Sequence, residues 1–89
     1  LERLITETEK EMRLLLETYE KRDIAGLDSL IHHLRSSWMV IRADLPLQEL
    51  YDLIHQSPYD EALLNGKVQA VLSTGEKIIR RAKEELCAR

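Results

Sequence analysis

The sequence predicts an all-α domain, folded as an antiparallel up-down-up-down four-helix bundle. The 89 residues include only three glycines and two prolines, and Leu, Glu, Arg, Lys and Ala dominate the composition. Apolar residues recur at the spacing of amphipathic helices. Short turns separate the helical segments, and a chain of this length suits one domain. We therefore expect residues 1–89 to form a single domain.

The first helix is predicted from about residue 2 to residue 21. Lys21 and Arg22 suit its C-terminal end, where the helix dipole favours cations. Asp23 is a suitable N-cap for the helix that follows. The core-facing stripe of the first helix comprises Leu1, Leu4, Ile5, Thr8, Met12, Leu15, Leu16 and Tyr19.

The second helix is predicted over about residues 24–43 and the third over about residues 45–56. Asp44 is expected to cap the third helix, and Pro46 is tolerated in its first turn. The third helix should end near Gln56. The core-facing residues of the two helices are Leu27, Leu30, Ile31, Leu34, Trp38, Ile41, Leu47, Leu50, Leu53 and Ile54.

The fourth helix is predicted to start at Ser57 as N-cap, with Pro58 in its first position and Asp60 in the third position of a loose capping box. Asn65-Gly66 is a candidate break within it. Gly75 lies on the inner face, where it lets a neighbouring helix approach closely. The apolar face comprises Leu64, Val68, Val71, Leu72, Ile78, Ile79, Ala82 and Leu86.

Charge and composition exclude several classes of function. The formal net charge is −3, with both signs mixed along the chain, whereas a nucleic-acid surface needs a clustered basic face. No apolar run approaches the roughly 20 residues that span a bilayer, and no signal peptide is visible. The single cysteine, Cys87, suits a reducing compartment. The chain begins at Leu1 inside a helical pattern, so we expect it to be a piece of a longer protein.

One face of the second helix has an unusual composition for a surface. His32 lies about 140° around the helix from the centre of the core-facing stripe. Exposed helix faces normally carry Lys and Glu, but small and apolar residues surround this histidine. Arg35 and Arg42 lie on one flank, beside Asp28. The uncharged residues of this face are Ala25, Ser29, Ser36, Met39, Val40 and Ala43, and such a patch is typical of a docking surface.

These residues suit the transfer of a phosphoryl group. Histidine is a nucleophile at physiological pH, and a phosphoryl donor must approach the ring in line. Ser36, one turn after His32, is small enough to leave that approach open. Arg35, three residues after His32, can reach the phosphoryl oxygens and offset their charge.

The segment His32-His33-Leu34-Arg35-Ser36-Ser37 resembles the H-x-L-[KR]-[GS]-[SA] signature of histidine-containing phosphotransfer domains, as found at the C-terminus of bacterial hybrid sensor histidine kinases. The resemblance covers roughly residues 23–56 and includes Arg42-Ala43, where the family often has Gly-Ala. It implies that His32 is the phosphoacceptor, that Arg35 stabilises the phosphoryl group and that Ser36 replaces the usual glycine.

The resemblance also implies the role and partners of the chain. A member of this family is a phosphorelay carrier rather than an enzyme, and response-regulator receiver domains are its partners. It has no cofactor of its own, because the divalent metal lies on the receiver domain. We expect a cytoplasmic monomer, or the cytoplasmic part of a membrane-bound sensor, with no direct contact with the membrane or with nucleic acid.

Two alternatives stay open at this point. The first is the dimerisation and phosphoacceptor hairpin of a sensor histidine kinase, whose H-E-L-R-T-P signature is a near match to residues 32–37. The second is a helical interaction module in which the histidine is incidental. The resemblance also leaves open which residue of Ile54-His55-Gln56 orients His32. His33 and His55 are otherwise interpreted as ordinary surface residues.

Overall fold

The computed structural model describes residues 2–56 and 60–88, and it contains four helices in that part of the chain. They are α1 (Glu2–Glu20), α2 (Ile24–Val40), α3 (Leu45–Ile54) and α4 (Glu61–Ala88). No strand occurs among these residues. The all-α class and the four-helix bundle are therefore confirmed. Over the same ranges, none of the helices combines the length and the apolar character that a membrane crossing needs.

The helices are arranged in a ring. Each packs against the helix before it and the helix after it, and α4 closes the ring against α1. The Tyr19 hydroxyl donates to Asn65 Oδ1 at 3.3 Å, and Arg22 pairs with Glu61 at 3.1 Å. Both contacts join the end of α1 to the start of α4. They are consistent with the up-down-up-down order, which stays a prediction.

The predicted apolar stripes meet in one core. The residues with less than 2% exposure are Trp38, Leu15, Leu27, Ile31, Leu34, Leu47, Leu50, Leu64, Val68 and Val71. Thr8, the polar member of the first stripe, is also buried. Two predicted core residues are exposed, Leu16 at 40% and Ile41 at 46%. Six others are half-buried: Leu4, Tyr19, Leu30, Leu72, Ile79 and Leu86. Ile41 leaves the core because α2 has already ended, and Leu16 lies on the edge of its stripe.

Two arginines end α1 and α2 in the left-handed conformation. Arg22 has φ of 53° and Arg42 has φ of 57°. Each helix then closes with a bond from the amide of the next residue, Asp23 to Thr18 O at 3.1 Å and Ala43 to Trp38 O at 2.8 Å. This Schellman-type closure explains why α2 ends at Val40 and not near residue 43 as predicted.

The caps of α2 and α3 differ. The Asp23 carboxylate accepts a hydrogen bond from the Gly26 amide at 3.0 Å, which confirms the predicted cap. Asp44 does precede α3, but its side chain makes no capping hydrogen bond, and only its carbonyl accepts from the Gln48 amide at 3.0 Å. Pro46 lies in the first turn of α3, as predicted.

The start of α4 corrects one expectation. The Asp60 carboxylate accepts from the Ala62 amide at 2.8 Å, and its carbonyl accepts from the Leu64 amide at 2.9 Å. Asp60 therefore immediately precedes the helix, and its placement in the third helical position is wrong. The predicted cap Ser57 and the residue after it, Pro58, lie outside the described residues, as does Leu1.

The long helix α4 continues through Asn65-Gly66, so the predicted break is wrong. Leu64 and Val68 are fully buried on either side of this pair, and their packing holds the turn in helical form. Gly75 is buried, and a methyl group there would overlap the thioether of Met12. The close approach of a neighbouring helix at this glycine is therefore confirmed, and that helix is α1.

Candidate functional site

His32 lies on the solvent side of α2, and 58% of its side chain is exposed. The buried side chains of Ile31 and Leu34 fix the rotation of the helix, and this rotation directs His32 outwards. Ser36, one turn further on, is also exposed. No bulky residue therefore occupies the position one helical turn after the imidazole.

Two aromatic rings, Tyr51 on α3 and His55 directly after that helix, lie near this histidine. The Tyr51 ring contacts the His32 ring edge-on, with centroids 5.6 Å apart and planes at 80°. The same tyrosine stacks at a tilt on His55, with centroids 4.3 Å apart. Tyr51 is thus the α3 residue in ring contact with His32, and it lies outside the segment that the resemblance left open.

A carboxylate lies between the two imidazoles. The Oδ1 atom of Asp28 is 3.2 Å from Nε2 of His55 and 3.5 Å from Nε2 of His32. A carboxylate only accepts hydrogen bonds, so the hydrogen bond with His55 requires a proton on its Nε2. From the sequence we predicted that Asp28 lies beside Arg35 and that His55 is an ordinary surface residue. The structure instead brings Asp28 and His55 together next to His32.

Part of this arrangement was detectable in the sequence. Asp28 precedes His32 by four residues, and residues at that spacing are neighbours on a helix surface. His55 could not be placed in the same way, because its contact with Asp28 depends on how α2 and α3 pack. Across residues 2–56 and 60–88, no group of three or more His, Cys, Asp or Glu side chains is positioned to hold a metal ion.

The second histidine of the motif faces another helix. Nε2 of His33 lies 3.7 Å from a carboxylate oxygen of Glu11 on α1. The Glu11 side chain is only 14% exposed, and burial raises its pKa, opposed in part by His33. His33 therefore lies on the α1 side of α2 and His32 on the α3 side.

The predicted docking residues separate into two groups. Ala25, Ser29, Met39 and Val40 are exposed on α2 together with His32. Ala43 lies after the end of α2 and is half-buried against the core. Its placement on the outward face of the helix is therefore wrong, because the left-handed turn at Arg42 has already redirected the chain.

The predicted phosphoryl-stabilising cation, Arg35, is half-buried on α2. The helical wheel places Arg35 on the same flank of α2 as Asp28, and Asp28 contacts His55 at the end of α3. An arginine on the same flank of the helix as Asp28 is also a candidate for an ion pair with that carboxylate. In the part of the chain that the structure describes, Asp28 instead forms its ion-pair contacts with His32 and His55.

Exposed apolar side chains cluster in sequence around the α2–α3 turn. Met39 is 53% exposed, Val40 83%, Ile41 46% and Leu45 68%. Sequence reasoning identified the first two as docking residues but assigned Ile41 to the core. We call these four residues the turn patch; all four follow His32 in the sequence, and Met39 is two helical turns after it.

Comparison with protein-family models, with curated proteins and with solved structures found no match to this chain. The fold and the site therefore define only a general class: a small four-helix bundle with an exposed histidine on its second helix.

Proposed function

We propose that this chain is a phosphorelay intermediate. His32 accepts a phosphoryl group from the aspartate of one response-regulator receiver domain and passes it to another. The observation that carries the proposal is the exposed imidazole of His32, with the small, exposed Ser36 one turn further on along the same helix. The resemblance of residues 32–37 to the phosphotransfer signature supports it.

The exposure of His32 suits a reaction in which the partner protein supplies most of the reacting groups. In the forward step, a ring nitrogen forms a bond to phosphorus while the bond between phosphorus and the aspartyl oxygen breaks. The leaving carboxylate keeps the bonding electron pair, and the ring proton passes to the carboxylate or to water. The divalent metal of this reaction belongs to the receiver domain, so the chain needs no cofactor of its own.

The proposed docking surface comprises Ala25, Ser29, Met39 and Val40 around His32. These residues carry no charge, so little desolvation cost opposes the approach of a partner helix. The remaining two members of the turn patch, Ile41 and Leu45, are exposed apolar residues beyond the end of α2. Arg35 on the flank is the cation proposed to meet the phosphoryl oxygens.

The decisive experiment incubates the chain with a phosphorylated receiver domain and follows the transfer of label. We expect label on the native chain and none on a His32→Gln variant. His33→Gln is the matched control, since it removes a second exposed imidazole one residue away, and it should keep the label. Full labelling of His32→Gln would refute the assignment.

The exposed turn patch favours a second candidate, a docking module in which His32 has no chemical role. Partner binding that survives His32→Ala but is lost in Val40→Asp, without any transfer of label, would support this alternative. The sensor-kinase hairpin is a further alternative, and ultracentrifugation tests it: a tight dimer would favour the hairpin and a monomer the phosphorelay carrier.

A further inference from the structure

The carboxylate beside the proposed phosphoacceptor carries the same sign of charge as the group that His32 would receive. Oδ1 of Asp28 is 3.5 Å from Nε2 of His32, and the Asp28 side chain is about one-third exposed. A phosphoryl group on the ring adds about two negative charges at neutral pH. Repulsion between these charges penalises the phosphorylated form relative to the free histidine.

His55 opposes this repulsion. Its Nε2 lies 3.2 Å from the same oxygen of Asp28, closer than that of His32. A hydrogen bond donated by His55 reduces the negative charge density on the Asp28 oxygen. It also holds the Asp28 carboxylate towards α3. Tyr51 stacks on His55, which keeps the His55 ring near this position.

We infer that Asp28 is a positioning and charge-tuning residue that disfavours the phosphorylated form of His32. His55 moderates this effect of Asp28 through its hydrogen bond to the Asp28 carboxylate. The inference rests on the proposed function of His32 as a carrier. The consequence is a phosphohistidine that forms more slowly and passes on its phosphoryl group more readily than one without a neighbouring carboxylate.

The test uses phosphoramidate as a small-molecule phosphoryl donor, so that it does not depend on finding a receiver domain. A ring nitrogen of His32 forms a bond to phosphorus, the nitrogen–phosphorus bond of phosphoramidate breaks, and the leaving nitrogen takes up the ring proton to depart as ammonia. Phosphorus NMR follows the rate at which phosphohistidine appears. Circular dichroism verifies that each variant is folded.

Asp28→Asn should form phosphohistidine about three- to tenfold faster than the native chain, the range expected for a nearby charge screened by water and salt. The difference should shrink in about 1 M salt. Asp52→Asn removes one carboxylate from the exposed surface of α3, where it accepts from Gln48, and should change the rate less than twofold. Asp28→Ser is the second charge-free variant, should the amide disturb the fold.

A double-mutant cycle tests the part assigned to His55. His55→Ala should slow phosphorylation in the native background and leave the rate unchanged in the Asp28→Asn background. An equal effect in both backgrounds would overturn the role of His55. An unchanged or slower rate in the charge-free Asp28 variants would overturn the role of Asp28. Absence of transfer from a receiver domain, alongside normal phosphoramidate results, would instead overturn the proposed function alone.

Discussion

The two arginines with positive φ allow a sharp test of what ends α1 and α2. Arg22 and Arg42 have φ of 53° and 57°, a conformation that costs an L-residue about 1–2 kcal/mol. Glycine avoids that cost but loses about 0.5–1 kcal/mol more in backbone entropy on folding. Arg42 is exposed, so its replacement sacrifices little packing. We expect Arg42→Gly to stabilise the fold by about 0.5–1 kcal/mol.

Arg22 has the same backbone conformation but different side-chain contacts. Its guanidinium donates to Tyr19 O at 2.6 Å, pairs with Glu61 at 3.1 Å and lies 4.3 Å from the centroid of the Tyr19 ring. The exposed ion pair contributes about 0.2–1 kcal/mol, and the cation–π contact about 0.5–1 kcal/mol. These losses offset the gain in backbone energy, so Arg22→Gly should be no more stable than the native chain.

Thermal unfolding followed by circular dichroism measures the difference between the two sites. A gain of about 0.5–1 kcal/mol corresponds to a rise in Tm of about 2–8 °C for a domain of this size. Arg42→Ala is the control, because it removes the side chain without relieving the positive φ, and it should give no rise. A Tm of Arg42→Gly at or below that of the native chain would refute the reasoning, as would an equal rise for Arg22→Gly.

Three further predictions concern the core, a helix cap and a buried carboxyl. Leu50→Ala, at a fully buried site on α3, should cost about 2–5 kcal/mol in urea unfolding. Asp23→Ala should cost about 1 kcal/mol through loss of the α2 cap, whereas Asp44→Ala should cost clearly less, because its side chain makes no capping hydrogen bond. Burial raises the pKa of Glu11, so the folded chain holds this proton more tightly than the unfolded chain and loses stability as pH rises through the carboxyl range. Glu11→Gln should therefore stabilise the fold more at about pH 7 than at about pH 4.

Each of these predictions has a contradicting result. A cost below about 1 kcal/mol for Leu50→Ala would mean that the site repacks around the missing methyl groups. Equal losses for the Asp23 and Asp44 variants would show that the capping hydrogen bond is not the source of the difference. A Glu11→Gln variant with the same pH dependence as the native chain would contradict the effect of burial on this carboxyl.

The core was predictable because helical periodicity alone sets which side chains point inwards. Leu47, Leu50, Leu53 and Ile54 are all buried as predicted. Helix ends were less predictable, because an arginine in a left-handed turn gives no signal in a single sequence. A glycine at position 42 would have indicated where α2 ends, whereas Arg42 gives no such indication.

The site shows the same division between local and non-local information. The outward direction of His32 follows from its position on the helix, and so does its nearness to Asp28. The contact of Asp28 with His55 joins residues 27 positions apart. It depends on the relative rotation and height of α2 and α3, which spacing along one helix does not encode.

Trp38 is an intrinsic fluorescent probe of the bundle. It is the only tryptophan in the chain, it is 1% exposed, and it lies about 120° around α2 from His32. Its fluorescence should be emitted at short wavelength and resist quenching by iodide until the bundle unfolds. A ligand or partner that binds at the outward face should leave this emission nearly unchanged, so a spectral shift on binding would signal that α2 itself has moved.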